Sequence, residues 1–287
     1  MSLTAKTPTT APSTTTVQTA RTATRREYLM CPPTHFDVVY AINPWMDPSV
    51  PVDRDLARRQ WADLHDTYLR LGHTVHLVEP QPGLVDMVFA ANCALVADSQ
   101  VYGARFREPV REPEAPAYRA WFAAAGFGEV YLPGYANEGE GDFAVVADLI
   151  LAGSGFRTDP AAHGEAQEFL GRPVVSLRLT DPRFYHLDTA LFVLDDDNVA
   201  YYPPAFSTGS RRTLARLFPD AVLATEADAL VFGLNSVSDG KNVVVAQAAT
   251  DLIAQLAARG YQPVPVDLSE LAKAGGGAKC CTQEIRR

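Results

Sequence analysis

Thr189-Ala190-Leu191-Phe192-Val193-Leu194, Asp195-Asp196-Asp197-Asn198, Val199-Ala200-Tyr201-Tyr202 is the stretch on which the fold turns. Two β-prone apolar runs flank a polar, turn-forming tetrad, which is the pattern of a hairpin. An amphipathic segment follows at Ser210–Phe218, and a short apolar run at Ala221–Ala224. Strand, strand, helix, strand is therefore the local order. The same order recurs roughly every 45–55 residues along the chain, the signature of a repeat architecture. Strand candidates include Phe36–Ile42, Met87–Ala97, Glu129–Leu132, Val145–Ala152, Val174–Leu179 and Ala229–Leu234. Helices are expected at Asp53–Leu71, Ala117–Ala125, Gly164–Leu170 and Thr250–Arg259, with Asp53 as an N-cap and Gly72 and Gly260 as C-terminal glycines. Ser238-Asp239-Gly240-Lys241 reads as a second hairpin turn. The class is α/β.

The 287 residues suffice for a large single core, and no linker divides them. Met1 to about Arg26 is rich in Thr, Ala, Ser and Pro and contains no Asp or Glu. A disordered tail over 1–26 ahead of one domain over 27–287 is the expectation, a transit peptide being the alternative. A formal charge of −9 argues against a general nucleic-acid binder and suits a small cationic substrate. No apolar run reaches the length of a membrane span. Cys31, Cys93, Cys280 and Cys281 form neither a disulfide framework nor a paired metal motif, which points to a reducing, cytoplasmic compartment.

Five segments carry chemistry. Gly275-Gly276-Gly277-Ala278-Lys279-Cys280-Cys281 puts flexible backbone ahead of two thiols, either of a nucleophile or of a buried cysteine pair. In Tyr185-His186-Leu187-Asp188, strand alternation would set His186 and Asp188 on one face; the plainer alternative is a surface histidine beside a solvated acid. Asn137-Glu138-Gly139-Glu140-Gly141-Asp142 interleaves acids with glycines, suited to a cation or to orienting a histidine, or else is a simple acidic turn. Its spacing does not match an EF-hand. Asn92 interrupts the apolar Phe89-Ala90-Ala91-Asn92-Cys93, and a buried amide needs partners. The prolines of Cys31-Pro32-Pro33, followed by Asn43-Pro44-Trp45-Met46, make an ordered loop.

Together these segments resemble the guanidino-group modifying enzyme superfamily: arginine deiminases, dimethylarginine dimethylaminohydrolases, amidinotransferases and arginine dihydrolases. The resemblance runs from about Cys31 to Thr282. It implies a five-bladed pseudosymmetric α/β-propeller of ββαβ units and a Cys–His–acid hydrolase needing neither metal nor organic cofactor. Cys280, His186 and Glu138 would take the catalytic roles. The acidic loop carries one residue more than the family's E-G-G-D pattern, so Glu138 and Glu140 compete for the acid, with Glu138 preferred. Arg111 and Arg157 resemble the arginines that hold a substrate α-carboxylate, for which a planar fork is suited; each could instead be a solvated surface charge.

Within the superfamily, Asp188 resembles deiminases and dihydrolases, where dimethylarginine hydrolases usually place lysine. Asn92 resembles the dihydrolases, since deiminases and dimethylarginine hydrolases use Asp there. An amide both donates and accepts, so it can hold the neutral ureido group left by a first hydrolysis. Asn43 would be a second such amide. The resemblance thus implies hydrolysis of L-arginine to ornithine, ammonia and carbon dioxide. The alternatives are a dimethylarginine hydrolase, a strict deiminase, or a non-catalytic arginine-binding propeller. The only partner implied is a small molecule, a homo-oligomer being left open.

Overall fold

Asp53 caps the first helix: its side chain accepts hydrogen bonds from the N–H groups of Asp55 and Leu56, which have no partner inside the helix. The computed structural model describes residues 21–287; the expectation of a disordered tail falls, for residues 1–20, outside the described residues. In chain order, β1 (Glu27–Met30), α1 (Arg54–Arg70) and β2 (Thr74–Leu77) come first, then β3 (Ala94–Ala97), β4 (Gln100–Gly103) and α2 (Glu114–Ala124). Next are β5 (Phe143–Val146), β6 (Leu149–Ser154), α3 (Pro160–Leu170) and β7 (Val174–Arg178). After them come β8 (Leu191–Asp195), β9 (Asn198–Tyr201), α4 (Thr208–Leu217), β10 (Val222–Leu223) and α5 (Glu226–Leu230). The chain ends with β11 (Val237–Ser238), β12 (Asn242–Ala246), α6 (Thr250–Ala258), β13 (Gln262–Val266), α7 (Ser269–Ala272) and β14 (Gln283–Glu284).

Among the described residues the strands form five small sheets rather than one, and the repeat read from the sequence is visible in them. In β5–β6–β7, β8–β9–β10 and β11–β12–β13 an antiparallel hairpin is followed by a helix and a strand parallel to the hairpin's second member. β3 and β4 repeat the hairpin, with a single parallel bridge from Tyr102 to Tyr131 in place of the last strand. The remaining unit uses both ends of the chain: β14 pairs antiparallel with β1, and β1 pairs parallel with β2 across α1. Buried apolar clusters of the described residues hold the modules together. Burial of this kind contributes roughly 25 cal/mol per Å² of apolar surface. Arg21 lies over the Tyr261 ring and pairs with Asp195, and Thr24 donates to the Asp239 carbonyl, so residues 21–26 follow the folded surface.

Several expected strands differ. Val145–Ala152 is a hairpin, not one strand, with its turn at Ala147-Asp148, where Ala147 adopts φ +47. No glycine or asparagine marks that turn, so apolarity alone made it look continuous. Met87–Ala97 coils through 3-10 turns at Val85–Val88 and Ala90–Cys93 before β3 begins. Phe36–Ile42 is a loop, and Ala229–Leu234 covers the end of α5 and a turn. β1 and β14 were not legible, being only four and two residues long. Gly72 and Gly260 do adopt the left-handed φ expected after a helix, +87 and +81. No helix among the described residues is long and apolar enough to cross a membrane.

Candidate active site

The glycines before Cys280 are there because backbone and side chains crowd them. Gly275 has φ +90, and a Cβ on it would meet Asn43 and the Tyr185 hydroxyl at about 2.9 Å. A Cβ on Gly276 would run into the Phe89 ring. The turn so formed brings the Cys280 thiol, 2% exposed, to a small cavity also lined by Asn43, Asp86, Asn92, Arg111 and Arg157. Cys281 is buried among apolar side chains instead, and burial pushes its thiol up.

Cys280 Sγ donates to Asp188 Oδ2 at 3.1 Å, and Asn235 Nδ2 donates to Sγ at the same distance. Burial first, then the Asp188 carboxylate, raise the Cys280 thiol well above its ordinary range. The resting nucleophile candidate is thus a protonated thiol.

His186 is not on a strand. It is extended, at φ −120 and ψ 156, and leads into a 3-10 turn at Leu187–Thr189 that ends before β8. Strand alternation therefore does not explain its placement beside Asp188; the turn does. The Leu187 N–H donates to Asp142 Oδ1 at 3.0 Å, which ties this turn to the acidic loop. In that loop Gly139 takes φ +51, and a Cβ on Gly141 would run into Asn92 Nδ2 and His186 Nδ1. Glu138 emerges fully buried, its Oε2 2.7 Å from His186 Nε2 and 2.9 Å from Arg157 Nη1. Burial alone would raise its pKa, but the Arg157 guanidinium and His186 hold it well below the usual carboxylate range.

Glu140, two residues on, points elsewhere. It forms ion pairs with Lys279 and Arg286 and accepts from the Glu284 N–H. Removing one member of a buried ion network costs about 3–5 kcal/mol. Glu140→Gln is accordingly expected to lower the unfolding midpoint in urea while its folded fraction still turns over. Glu138→Gln is expected to lose turnover instead, and a reversal of these two outcomes would exchange their roles.

Arg111 and Arg157 are each 3% exposed, so neither is a solvated surface charge. Arg111 grips Glu114 with Nε and Nη2 and donates through Nη1 to Asn92 Oδ1 at 2.8 Å. Arg157 donates to Glu138 and, through Nη2, to the Ile42 carbonyl at 2.7 Å. Asn43 is held by backbone, Nδ2 to the Ala274 carbonyl and Oδ1 from the Trp45 N–H.

Four buried polar atoms on these residues have no hydrogen-bond partner among the described residues: Asn92 Nδ2, His186 Nδ1, Asp188 Oδ1 and Asp86 Oδ1. Buried polar groups are otherwise almost always paired, so this set describes the polarity of a ligand. It offers one amide donor, two carboxylate acceptors and an imidazole nitrogen. Asp86, which sits in an apolar run, and Asn235, which no motif distinguishes, carry no mark in the sequence. The oxygens of Asp86 have one partner between them, the Tyr40 hydroxyl at 2.9 Å, apart from Arg111 at 3.9 Å.

No protein-family model matches the chain. It is 57% identical over 265 residues to the N(G),N(G)-dimethylarginine dimethylaminohydrolase of Mycobacterium tuberculosis, covering 92% of this chain and 87% of that one. It is 39% identical over 263 residues to the bifunctional arginine dihydrolase/ornithine cyclodeaminase ArgZ of Synechocystis, covering 90% of this chain but 37% of that longer protein. The N-terminal domain of ArgZ, solved as a Cys-to-Ser variant with substrate bound, superposes with a TM-score of 0.88 at 37% identity, over 91% of this chain and 98% of that domain. The chain belongs to the guanidino-group modifying superfamily. It is a hydrolase of guanidino C–N bonds, with dimethylarginine dimethylaminohydrolases and arginine dihydrolases as its named relatives.

Proposed function

We propose that the chain is an L-arginine dihydrolase that hydrolyses the guanidino group twice at Cys280, on the five sheets as blades of a pseudosymmetric α/β-propeller. The observation that carries this is Asn92. Its Oδ1 is held by Arg111, which leaves Nδ2 as an unspent donor on a residue that lines the cavity containing the thiol. A guanidinium has no acceptor for that donor, whereas the carbonyl oxygen of a ureido group does.

The Cys280 thiolate attacks the central guanidino carbon, one nitrogen leaves as ammonia, and water cleaves the thiol adduct to give the ureido compound. A second round on the ureido carbon releases another ammonia and a carbamate, which falls apart to carbon dioxide and ornithine. Glu138 holds His186 Nε2, so the unpartnered Nδ1 is the nitrogen that protonates the departing ammonia and then activates water. Asp188 Oδ1 accepts from the unmethylated guanidinium, whose charge also favours the thiolate. Asp86 suits the substrate's ammonium group. Arg111 and Arg157, whose forks are held by Glu114 and Asn92 and by Glu138 and the Ile42 carbonyl, would meet the substrate's carboxylate only with a remaining N–H or after exchanging a partner, with Asn43 near the reacting carbon. In ArgZ an Asn-to-Ser variant holds a covalently bound reaction intermediate, which supports a covalent route in the family.

Burial raises the Asp188 carboxylic acid to about 6, against partial opposition from His186. Its folded pKa thus lies above the unfolded value near 3.9, so the free protein loses stability as pH rises from about 4 to 6. Substrate binding needs the ionised form. kcat/KM for arginine is expected to rise through about pH 6 and then level, and Asp188→Asn to remove that limb along with most activity. A profile flat from pH 5 to 7 would exclude this role.

The second reading is a dimethylarginine dimethylaminohydrolase, favoured by the name of the 57% identical mycobacterial relative. Product analysis on arginine, citrulline and dimethylarginine decides. Ornithine from both arginine and citrulline supports the dihydrolase. Dimethylamine from dimethylarginine, with arginine untouched, supports the alternative, and citrulline accumulating alone indicates a deiminase.

A further inference from the structure

Asn235 lies on the turn after α5, outside every motif that marks the superfamily in this sequence, and it touches the sulfur of Cys280. The residue is 1% exposed, and its side chain spends all its hydrogen-bonding capacity. Oδ1 accepts from the backbone N–H of Gly277 and of Cys280, each at 2.9 Å. Nδ2 donates to the Asp188 carbonyl and to Cys280 Sγ, each at 3.1 Å. Chemistry fixes this orientation, because a flipped amide would set two donors against two backbone donors. An N–H therefore faces the sulfur at all times.

We infer that Asn235 is a catalytic residue that seats Cys280 through its backbone and stabilises the thiolate through Nδ2–H. The sulfur has a carboxylate, Asp188, on its other side and is shut off from water. An anion formed there needs a fixed donor that does not have to reorganise when charge develops. A neutral amide serves where a cation would compete with the substrate's own charge. Consistent with this, the Asn235 hydrogen bond pulls the thiol downward, against burial and Asp188. The inference rests on the reading of Cys280 as the nucleophile.

The test uses Asn235→Asp and Asn235→Ala in the full chain. Aspartate still accepts from both backbone N–H groups but replaces the donor at sulfur with a carboxylate oxygen. Alanine removes both functions without adding charge. The rate of Cys280 alkylation by iodoacetamide, located by mass spectrometry, is followed against pH beside arginine turnover, with circular dichroism reporting the fold. Both variants are expected to shift the alkylation profile to higher pH, Asn235→Asp further. Turnover should fall roughly 100-fold in kcat, with KM changed only a few-fold, as for loss of one preorganised donor. Alkylation profiles and kcat within twofold of the parent would overturn the inference. If Asn235→Asp does not fold, Asn235→Ala carries both readouts. Failure of the function reading looks different: Cys280 alkylated to completion with turnover intact removes the nucleophile, while the thiol profile still reports on Asn235.

Discussion

Cys280→Ser is expected to lose turnover of arginine by a factor on the order of 10⁴ or more, with the fold retained. A serine hydroxyl fits the same space and can keep both polar contacts, to Asp188 Oδ2 and from Asn235 Nδ2. Its pKa is far above that of a thiol, however, and no strong base touches it. His186 is committed through Nε2 to Glu138. Ammonia release measured alongside a thermal melt separates lost chemistry from lost structure. The parallel Cys281→Ser variant should remain active, since that thiol packs in the apolar core rather than at the cavity. An active Cys280→Ser enzyme, or an inactive Cys281→Ser one with an intact fold, would reassign the nucleophile.

Asn92→Asp is expected to change the product. Citrulline should accumulate, and ornithine should fall by roughly 100-fold or more, while the first hydrolysis stays within about tenfold of the parent. The substitution is nearly isosteric, and Arg111 Nη1 keeps an oxygen to donate to. What changes is Nδ2, which becomes a carboxylate oxygen. Facing a cationic guanidinium, that oxygen is tolerated; facing the ureido carbonyl, it sets acceptor against acceptor. An unsatisfied polar pair in a closed site costs about 1–3 kcal/mol, and more when one member is charged. Quantifying both amino acids over a time course tests this. An unchanged ratio of ornithine to citrulline would show that Asn92 does not select the second round.

The residues of the candidate site were more legible than the strands around them. Cys280, His186, Glu138 and Asn92 each announce themselves locally, as a thiol after glycines, a histidine before an acid, an acid in a glycine-rich acidic loop, and an amide in an apolar run. The choice between Glu138 and Glu140 was not local. Both are buried acids flanked by glycine, and only their partners differ: His186 and Arg157 for one, Lys279 and Arg286 for the other. Asn235 and Asp86 gave no signal, because an Asn on a turn and an Asp near a hydrophobic run are ordinary until something faces them. The hairpin inside Val145–Ala152 was hidden because both of its strands are apolar and Ala147 supplies the left-handed φ that glycine usually provides.

The recurring strand–strand–helix–strand order, the first helix with its Asp53 cap, the glycines after helices and the chemical types at the candidate site follow from the sequence by itself, through hydrophobic patterning, capping and backbone sterics. These are short-range effects. Pairing the last strand with the first, turning Glu138 rather than Glu140 toward His186, and bringing Asp86 and Asn92 to the cavity that holds Cys280 are decided by the tertiary structure. Each depends on residues far apart in the chain, such as Glu284 opposite Tyr28 and Cys280 opposite Asp188 and Asn235. Burial then makes the outcome matter. In a dry interior, an acid's partners determine whether it supports a histidine or staples two segments together.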